Sequence, residues 1–404
     1  MNLTPDTTDT AAANATLLSI GFCCAGHLYA HLFMLLYPTV VLVLPGAFNR
    51  PYGELLTLAT PGFIAFGLFA LPAGRLADRW SAFAMMVVFF MGTGVASILT
   101  GLAQTPLQLA AGLTLIGVFA AIYHPVGIAW VIRHSVKQGM ALAVNGVFGN
   151  WGLAVAALSA GALIELSGWR AAFIVPGVVC VATGIAFFYF ARAGAVAVHD
   201  SDRVVHAPAT RRQLIRAFSV VAVTALFGGL VFQSTTVGMP KIFDERLGGL
   251  VSGTLGVGGM VAMVYFVASF AQLAVGHLMD RFPLKPVYII VYALQAPLLF
   301  VASGLFDEPL LAVVLIFACL NVGALPVSDM LVARFAPPEW RSTIYGAKFV
   351  VVLGVASLGV PMVAYIHDNT GDFTMLFLVA SAFALTVASA ALFLPAATAK
   401  VAAA

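Results

Sequence analysis

The segment from Cys23 to Tyr37 reads CCAGHLYAHLFMLLY and carries five side chains able to do chemistry inside an apolar run. At about 100° per residue, with Cys23 at zero, His27 falls near about 40°, His31 near about 80°, Met34 near about 20° and Tyr37 near about −40°. One helical stripe therefore holds all five, and Tyr29 lies roughly opposite. Thiol, imidazole and thioether are soft donors that suit Cu(I) or Zn(II), which makes Cys23, His27, His31 and Met34 a candidate metal set. The competing reading is a row of hydrogen-bonding groups, His27, His31 and Tyr37 foremost, that shapes a cavity for an organic solute or carries protons.

Other polar residues sit in runs just as apolar. In IYHPVG, Pro125 has no N–H to give the helix, so a carbonyl one turn back is free for His124, water or a solute. Tyr123 and His124 are accordingly candidate contacts for a solute or a proton. Gln233, Ser234, Thr235 and Thr236 form a polar cluster, of which Gln233 and Thr236 are the candidate binding groups, and Asn321 is a lone amide. Asp329 and Lys348 stand out as full charges, each costing about 2.5–3.5 kcal/mol or more if buried alone at the centre of a membrane. Pairing with each other is the default, either as a static salt bridge or as a switch released when Asp329 takes a proton. Asn145, Asn150 and Trp151 lie in NGVFGNWG, where Gly146, Gly149 and Gly152 point instead to a sliding helix contact.

The elements that must position these groups follow from composition. Of 404 residues, 62% are hydrophobic and 9% charged, against about 45–50% and about 25% in ordinary soluble proteins. So few charges cannot cover a water-facing surface, and the abundance of apolar residues excludes disorder. A helix needs about 20 apolar residues to cross the hydrocarbon layer. Twelve runs qualify, at 17–44, 54–73, 82–101, 107–131, 140–164, 171–191, 217–239, 254–277, 286–304, 309–333, 343–366 and 373–395. The expected fold is an all-α membrane protein. Fourteen Lys and Arg, from Arg75 to Lys400, share the face of both termini, while Arg50, Arg170, Lys241 and Arg246 fall in loops on the other. The positive-inside rule then makes the termini cytoplasmic, in a bacterial inner (plasma) membrane, and the net charge of +3 needs no nucleic-acid partner. The first run follows Asp6 and Asp9 without Lys or Arg and is too long for a signal h-region, so it is expected to stay as a mature helix. Cys23 and Cys24 are adjacent and offer no disulfide framework.

Residues 192–216 are the longest polar stretch and divide the runs into an N-terminal six-helix bundle, 1–191, and a C-terminal one, 217–404. GRLADRW from Gly74 follows run 2, and GHLMDRF from Gly276 follows run 8, half a chain later. Both fit G-x-L-x-D-R plus an aromatic, the mark of an internal duplication. These motifs, with GWRAAF at Gly168–Phe173, resemble the major facilitator superfamily over the whole chain. The resemblance implies two pseudo-symmetric six-helix halves rocking about a central cavity lined by helices 1, 4, 7 and 10. It also implies a conformational latch built from Gly74, Asp78 and Arg79 and from Gly276, Asp280 and Arg281. The pattern departs from the family where Ser81, Ala82 and Phe83 replace the usual basic pair. The His-Pro of run 4 is similar to a branch that includes fosmidomycin-resistance exporters.

The resulting expectation is a monomeric secondary transporter, not an enzyme and without a cofactor, moving a small organic solute by alternating access. No G-x-x-x-x-G-K-[ST] sequence occurs, so the driving force is an ion gradient, with protons favoured by the His and Asp candidates. No Arg is placed deep in a run, which favours a neutral, cationic or singly charged solute. The alternative is a transition-metal or metal-chelate importer using the stripe of run 1. Copper carriers of the superfamily use Met and His pairs on helices 7 and 8, and Met260, Met263 and His277 do not reproduce them. A receptor or assembly factor on the same scaffold is the third reading, and the paired latch motifs argue against it.

Overall fold

A computed structural model describes residues 7–133, 138–196, 211–335 and 348–394, and these are helical with short connections. Among them are 12 helices long and apolar enough to cross a membrane. They run Asn14–Val40, Tyr52–Arg79, Ala82–Gly101, Pro106–Ile132, Met140–Ser167 and Ala171–Arg192 in the first half. Ser219–Arg246, Gly253–Met279, Leu284–Ala302, Asp307–Leu325, Val350–Thr370 and Thr374–Ala391 follow in the second. We number them spans 1 to 12. An even count places both chain ends on one face, the termini face, and the loops after odd-numbered spans on the opposite face.

The packing repeats with a period of six spans. Span 1 packs on span 5, span 2 on span 4, and span 3 on spans 4 and 6; spans 7 and 11, 8 and 10, 9 and 10, and 9 and 12 repeat each pairing. The two most extensive contacts between the halves among the described residues, span 5 with span 8 and span 2 with span 11, are related by the same shift, and span 1 also meets span 7. The chain is therefore two pseudo-symmetric six-helix bundles. Phe69, Val95, Phe300 and Phe393 point outward. Such a surface suits lipid, where backbone polar groups must be satisfied inside the helices.

Two expectations change. The G-x-L-x-D-R motifs are not loops: Gly74–Arg79 forms the end of helix Ala70–Arg79, and Gly276–Arg281 the end of helix Ala271–Arg281. Leu, Ala and Arg favour helix, and an Arg in the last turn suits the negative end of its dipole. Span 7 also continues past residue 239 to Arg246, so Lys241 and Arg246 are helical rather than in a loop. Arg246 is 3% exposed, and its guanidinium donates to the carbonyls of Ala302 and Ser303 and to Thr374 Oγ1. Those bonds repay its desolvation, which is why an Arg can be buried at a span end. Asp372 lies 3.5 Å from it.

The seams between halves are made by small residues. A Cβ on Gly258 would strike the Ala157 carbonyl across spans 5 and 8, and one on Gly67 would strike the backbone of Gly354 across spans 2 and 11. Span 11 is irregular at that seam, with a π turn at Val350–Gly354 and a 3₁₀ turn at Val355–Leu358. At the opposite face, the GWR motif ties two loops together. Gly168 takes φ +84°, and Arg170 lies over Trp169 and donates to the Ala103 carbonyl at 3.1 Å.

Gly258→Leu should force spans 5 and 8 apart and destabilise the protein by about 1–3 kcal/mol, as overpacking does. Thermal unfolding of the purified variant checks this, and an unchanged midpoint would contradict the close contact.

Candidate functional site

Span 1 presents His27 and His31 one turn apart, and span 4 adds His124. Ligand atoms of the three imidazoles all lie within 4.8 Å of one another. The ring centroids form a nearly equilateral triangle, 5.1 Å for His27–His31 and 5.4 Å for each of the other two pairs. Three features place the rings. Span 4 breaks between helices Pro106–Ala120 and Tyr123–Arg133, just ahead of Pro125, which re-aims Tyr123 and His124. Gly74 of the latch motif lies against Pro125, where a Cβ would come within 3.2 Å of its ring. On span 5, a Cβ at Gly149 would sit 2.6 Å from His27, so only glycine leaves room for that imidazole.

A hydrogen-bonded base fixes the arrangement. His27 Nδ1 lies 2.8 Å from the Asn145 carbonyl, which can only accept, so Nδ1 carries the proton and the Nε2 lone pair is left for the site. The Tyr123 hydroxyl donates to the Cys23 carbonyl at 2.8 Å and accepts from Asn145 Nδ2 at 2.8 Å. Its ring stacks on His27 at 4.9 Å. Asn145, read from sequence as part of a packing motif, is thus the polar hub joining spans 1, 4 and 5. The glycines around it announced close packing truthfully but hid the amide's second task.

His124 is different. It is 6% exposed, and neither ring nitrogen has a hydrogen-bond partner. Phe66 of span 2 flanks it at 5.5 Å, and Phe349, immediately before span 11, stacks on it at 5.4 Å. Those two phenylalanines were not foreseen, because an aromatic in an apolar run carries no distinguishing pattern. Phe349 matters most: it brings the second half onto a histidine of the first.

The remaining candidates divide. Cys23 is buried but stands outside the group of converging ligand atoms, and Met34 is buried in the core of span 1. Tyr37 starts the short helix Tyr37–Val40 that continues span 1, and its hydroxyl donates to the Leu55 carbonyl on span 2 at 2.6 Å. On span 7, Ser234 and Thr235 donate back to the Val231 carbonyl, and Thr236 accepts from Tyr265 at 3.0 Å. Gln233 keeps a buried, unpartnered Nε2 and packs on Gly359 of span 11. Asn321 is buried on span 10, and Lys348 is buried next to Phe349. Asp329 lies on helix Asp307–Phe335, with its side chain outside the described residues. Asp280 has a helical backbone and a side chain likewise outside them. Asp78, Arg79 and Arg281 are exposed at the termini face.

Across the opposite face the halves are clasped by charge. The Gly53 N–H donates to Asp368 Oδ1 at 3.2 Å, and the Tyr52 ring meets His367 edge-on at 5.1 Å. His367 Nε2 lies 2.8 Å from Glu245, and Lys241 bridges Asp244 and Glu245 at 3.0 and 3.2 Å while lying over the Tyr52 ring at 5.7 Å. Spans 2, 7 and 11 therefore meet there.

Tyr123→Phe would remove the acceptor of Asn145 and the donor to Cys23. Leaving those buried groups unpaired should cost about 1–3 kcal/mol. The check is the unfolding midpoint of the purified variant, and a wild-type midpoint would contradict the hub.

Known proteins place this architecture. Residues 22–351 match the family model of the Major Facilitator Superfamily. A 150-residue stretch is 33% identical to a puromycin resistance protein, pur8, of Streptomyces alboniger, covering 35% of this chain and only 30% of that protein. Over 345 residues the chain is 27% identical to monocarboxylate transporter 11 of Mus musculus, covering 78% and 73% of the two. Two crystal structures of a bacterial homologue of the human lysosomal transporter Spinster share the fold. The unoccupied inward-facing form aligns with TM-score 0.71 at 14% identity over 94% of this chain and 95% of that one. The occupied inward-facing form gives 0.72 at 15% identity over 94% of each. The sequence motifs, the twelve spans in two repeated halves and the family match agree: the chain belongs to the major facilitator superfamily and is a membrane transporter.

Proposed function

We propose that this transporter is a secondary active carrier, driven by the proton gradient, that moves a small organic solute by alternating access across a bacterial inner membrane. It works as a monomer with both termini cytoplasmic. The observation that carries the reading is His124, buried with two unpartnered nitrogens and stacked on Phe349 from the other half. A buried polar group without partners is costly and marks a place that a ligand completes. A solute that satisfies His124 touches both halves and so responds to their relative motion.

Gln233, with its own unpartnered amide, and Asn321 are further solute contacts from the second half. Neutral imidazoles and amides suit a neutral or singly charged organic molecule. The names of the two relatives, which refer to puromycin and to monocarboxylates, agree with that class. Asp329 takes the driving proton and Lys348 senses it. Protonation of Asp329 removes a negative charge that Lys348 needs in a low-dielectric setting, and the termini face relaxes. The Asp368, His367, Glu245 and Lys241 clasp then alternates with the helix-end latch at Gly74–Arg79 and Gly276–Arg281.

Reconstitution into vesicles with puromycin and short monocarboxylates as probes tests the reading. Accumulation of a probe should follow an imposed proton gradient. Asp329→Asn should abolish gradient-driven accumulation while leaving exchange of labelled for unlabelled solute. Transport that ignores the gradient, or that stays coupled in Asp329→Asn, would overturn it.

A further inference from the structure

We infer that His27, His31 and His124 form a three-imidazole site for a divalent transition metal of the zinc class, with its fourth coordination position open. The inference names a ligand class for the centre proposed to hold the solute, yet the binding itself rests on the geometry of the three rings alone.

The triangle is close to what a metal needs. Zinc binds imidazole nitrogen at about 2.0–2.1 Å, which sets nitrogens of a tetrahedral site about 3.3 Å apart. The three ligand atoms already converge within 4.8 Å, so ring rotations close the remainder. Metal-ligating histidines characteristically donate their other ring N–H to a carbonyl or carboxylate, which fixes the tautomer. His27 does this to the Asn145 carbonyl, with its ring further held by Tyr123 and by the space at Gly149. His124, nine-tenths buried, has both nitrogens vacant within an aromatic wall of Phe66 and Phe349. A hydrogen-bonding pair would need only two of these rings. Three converging imidazoles, one oriented from behind and one orphaned, are a ligand set.

The same geometry narrows what completes the site. The group holds three neutral donors and no carboxylate. A bound divalent ion keeps its full charge at membrane depth, where an uncompensated charge is costly. An anionic fourth ligand is therefore favoured, and a carboxylate on the transported solute would supply it. Three histidines with an open fourth position also match the arrangement in which zinc takes an exchangeable ligand. Cys23, on the same stripe, is not part of the converging group. The metal centre joins spans 1 and 4 instead of running along span 1.

The test uses the purified full-length protein, free of metal and of any polyhistidine tag, titrated with cobalt(II) chloride as a visible reporter of zinc-type sites. One equivalent of Co(II) should bind with the intense ligand-field absorption of four-coordinate geometry. Zn(II) should displace it, and added acetate should alter the spectrum by entering the open position. Outer-shell changes cost about 10–100-fold in metal affinity, so loss of an imidazole in His124→Ala or His31→Gln should cost at least that. His277→Ala, at an exposed position, should bind as wild type does. Absence of a tetrahedral spectrum in the wild-type protein, or equal binding by folded His124→Ala, would overturn the inference; the wild-type spectrum decides even if a variant does not fold. Equilibrium metal binding needs no gradient. Coupled transport without Co(II) binding would sink this inference alone, whereas a Co(II) site in a protein that ignores the gradient would sink only the proton-coupled reading.

Discussion

Two seams of small residues hold the halves of this protein together, and the rest of the structure depends on how little they contain. Spans 5 and 8 touch backbone to backbone at Gly258 and Ala157, and spans 2 and 11 do so at Gly67 and Gly354. In a bilayer the hydrophobic effect does not drive one helix onto another, because lipid is as apolar as the partner. Contact is made by close van der Waals packing, which small residues permit and which does not lock one register. A seam of interdigitated Leu and Phe would pin the halves. Glycine lets them adhere and still slide, and the π and 3₁₀ turns of span 11 supply local irregularity where it meets span 2.

Against that neutral seam, polar groups decide which arrangement is held. On the opposite face, Asp368, His367, Glu245 and Lys241 gather around Tyr52 and Gly53; their ion pairs stay within the second half. The halves themselves are joined there by the Gly53–Asp368 hydrogen bond and by the Tyr52 ring against His367 and Lys241. In the interior, Asn145, Tyr123, Cys23 and His27 satisfy one another and tie spans 1, 4 and 5 together. His124 is left over at the junction with Phe349, so the unsatisfied group lies where the first half meets the second.

Much of this was legible from residue order. Composition demanded a membrane protein, hydropathy counted the spans, and the repeated G-x-L-x-D-R motif announced two halves that the structure repeats contact for contact. The stripe on span 1 put His27 and His31 on one face correctly. Tyr37, further along the same span, has its hydroxyl bonded to the Leu55 carbonyl of span 2. The resemblance put spans 1 and 4 on one cavity, and only the structure shows that His124 converges on His27 and His31, beside the bond from Tyr123 to the Cys23 carbonyl. Charge misled twice in the same manner. The signature motifs and Arg246 looked like loop because charged residues usually mark the ends of spans. A helix can carry charge past the hydrocarbon, and a guanidinium with three acceptors can stay buried.

If the two halves rock on the glycine seams, the clasp between Asp368 and Gly53 holds the opposite face shut until they do. Spin labels at the exposed positions Arg50 and Asn369, one on each half beside the clasp, measure it directly through the distance distribution between them in lipid nanodiscs. Asp368→Ala removes the acceptor of the Gly53 N–H and a neighbour of His367. A short-distance peak is expected in the wild-type protein and, in the variant, growth of a second, longer-distance population as the face opens. A single unchanged distance in both proteins would contradict it.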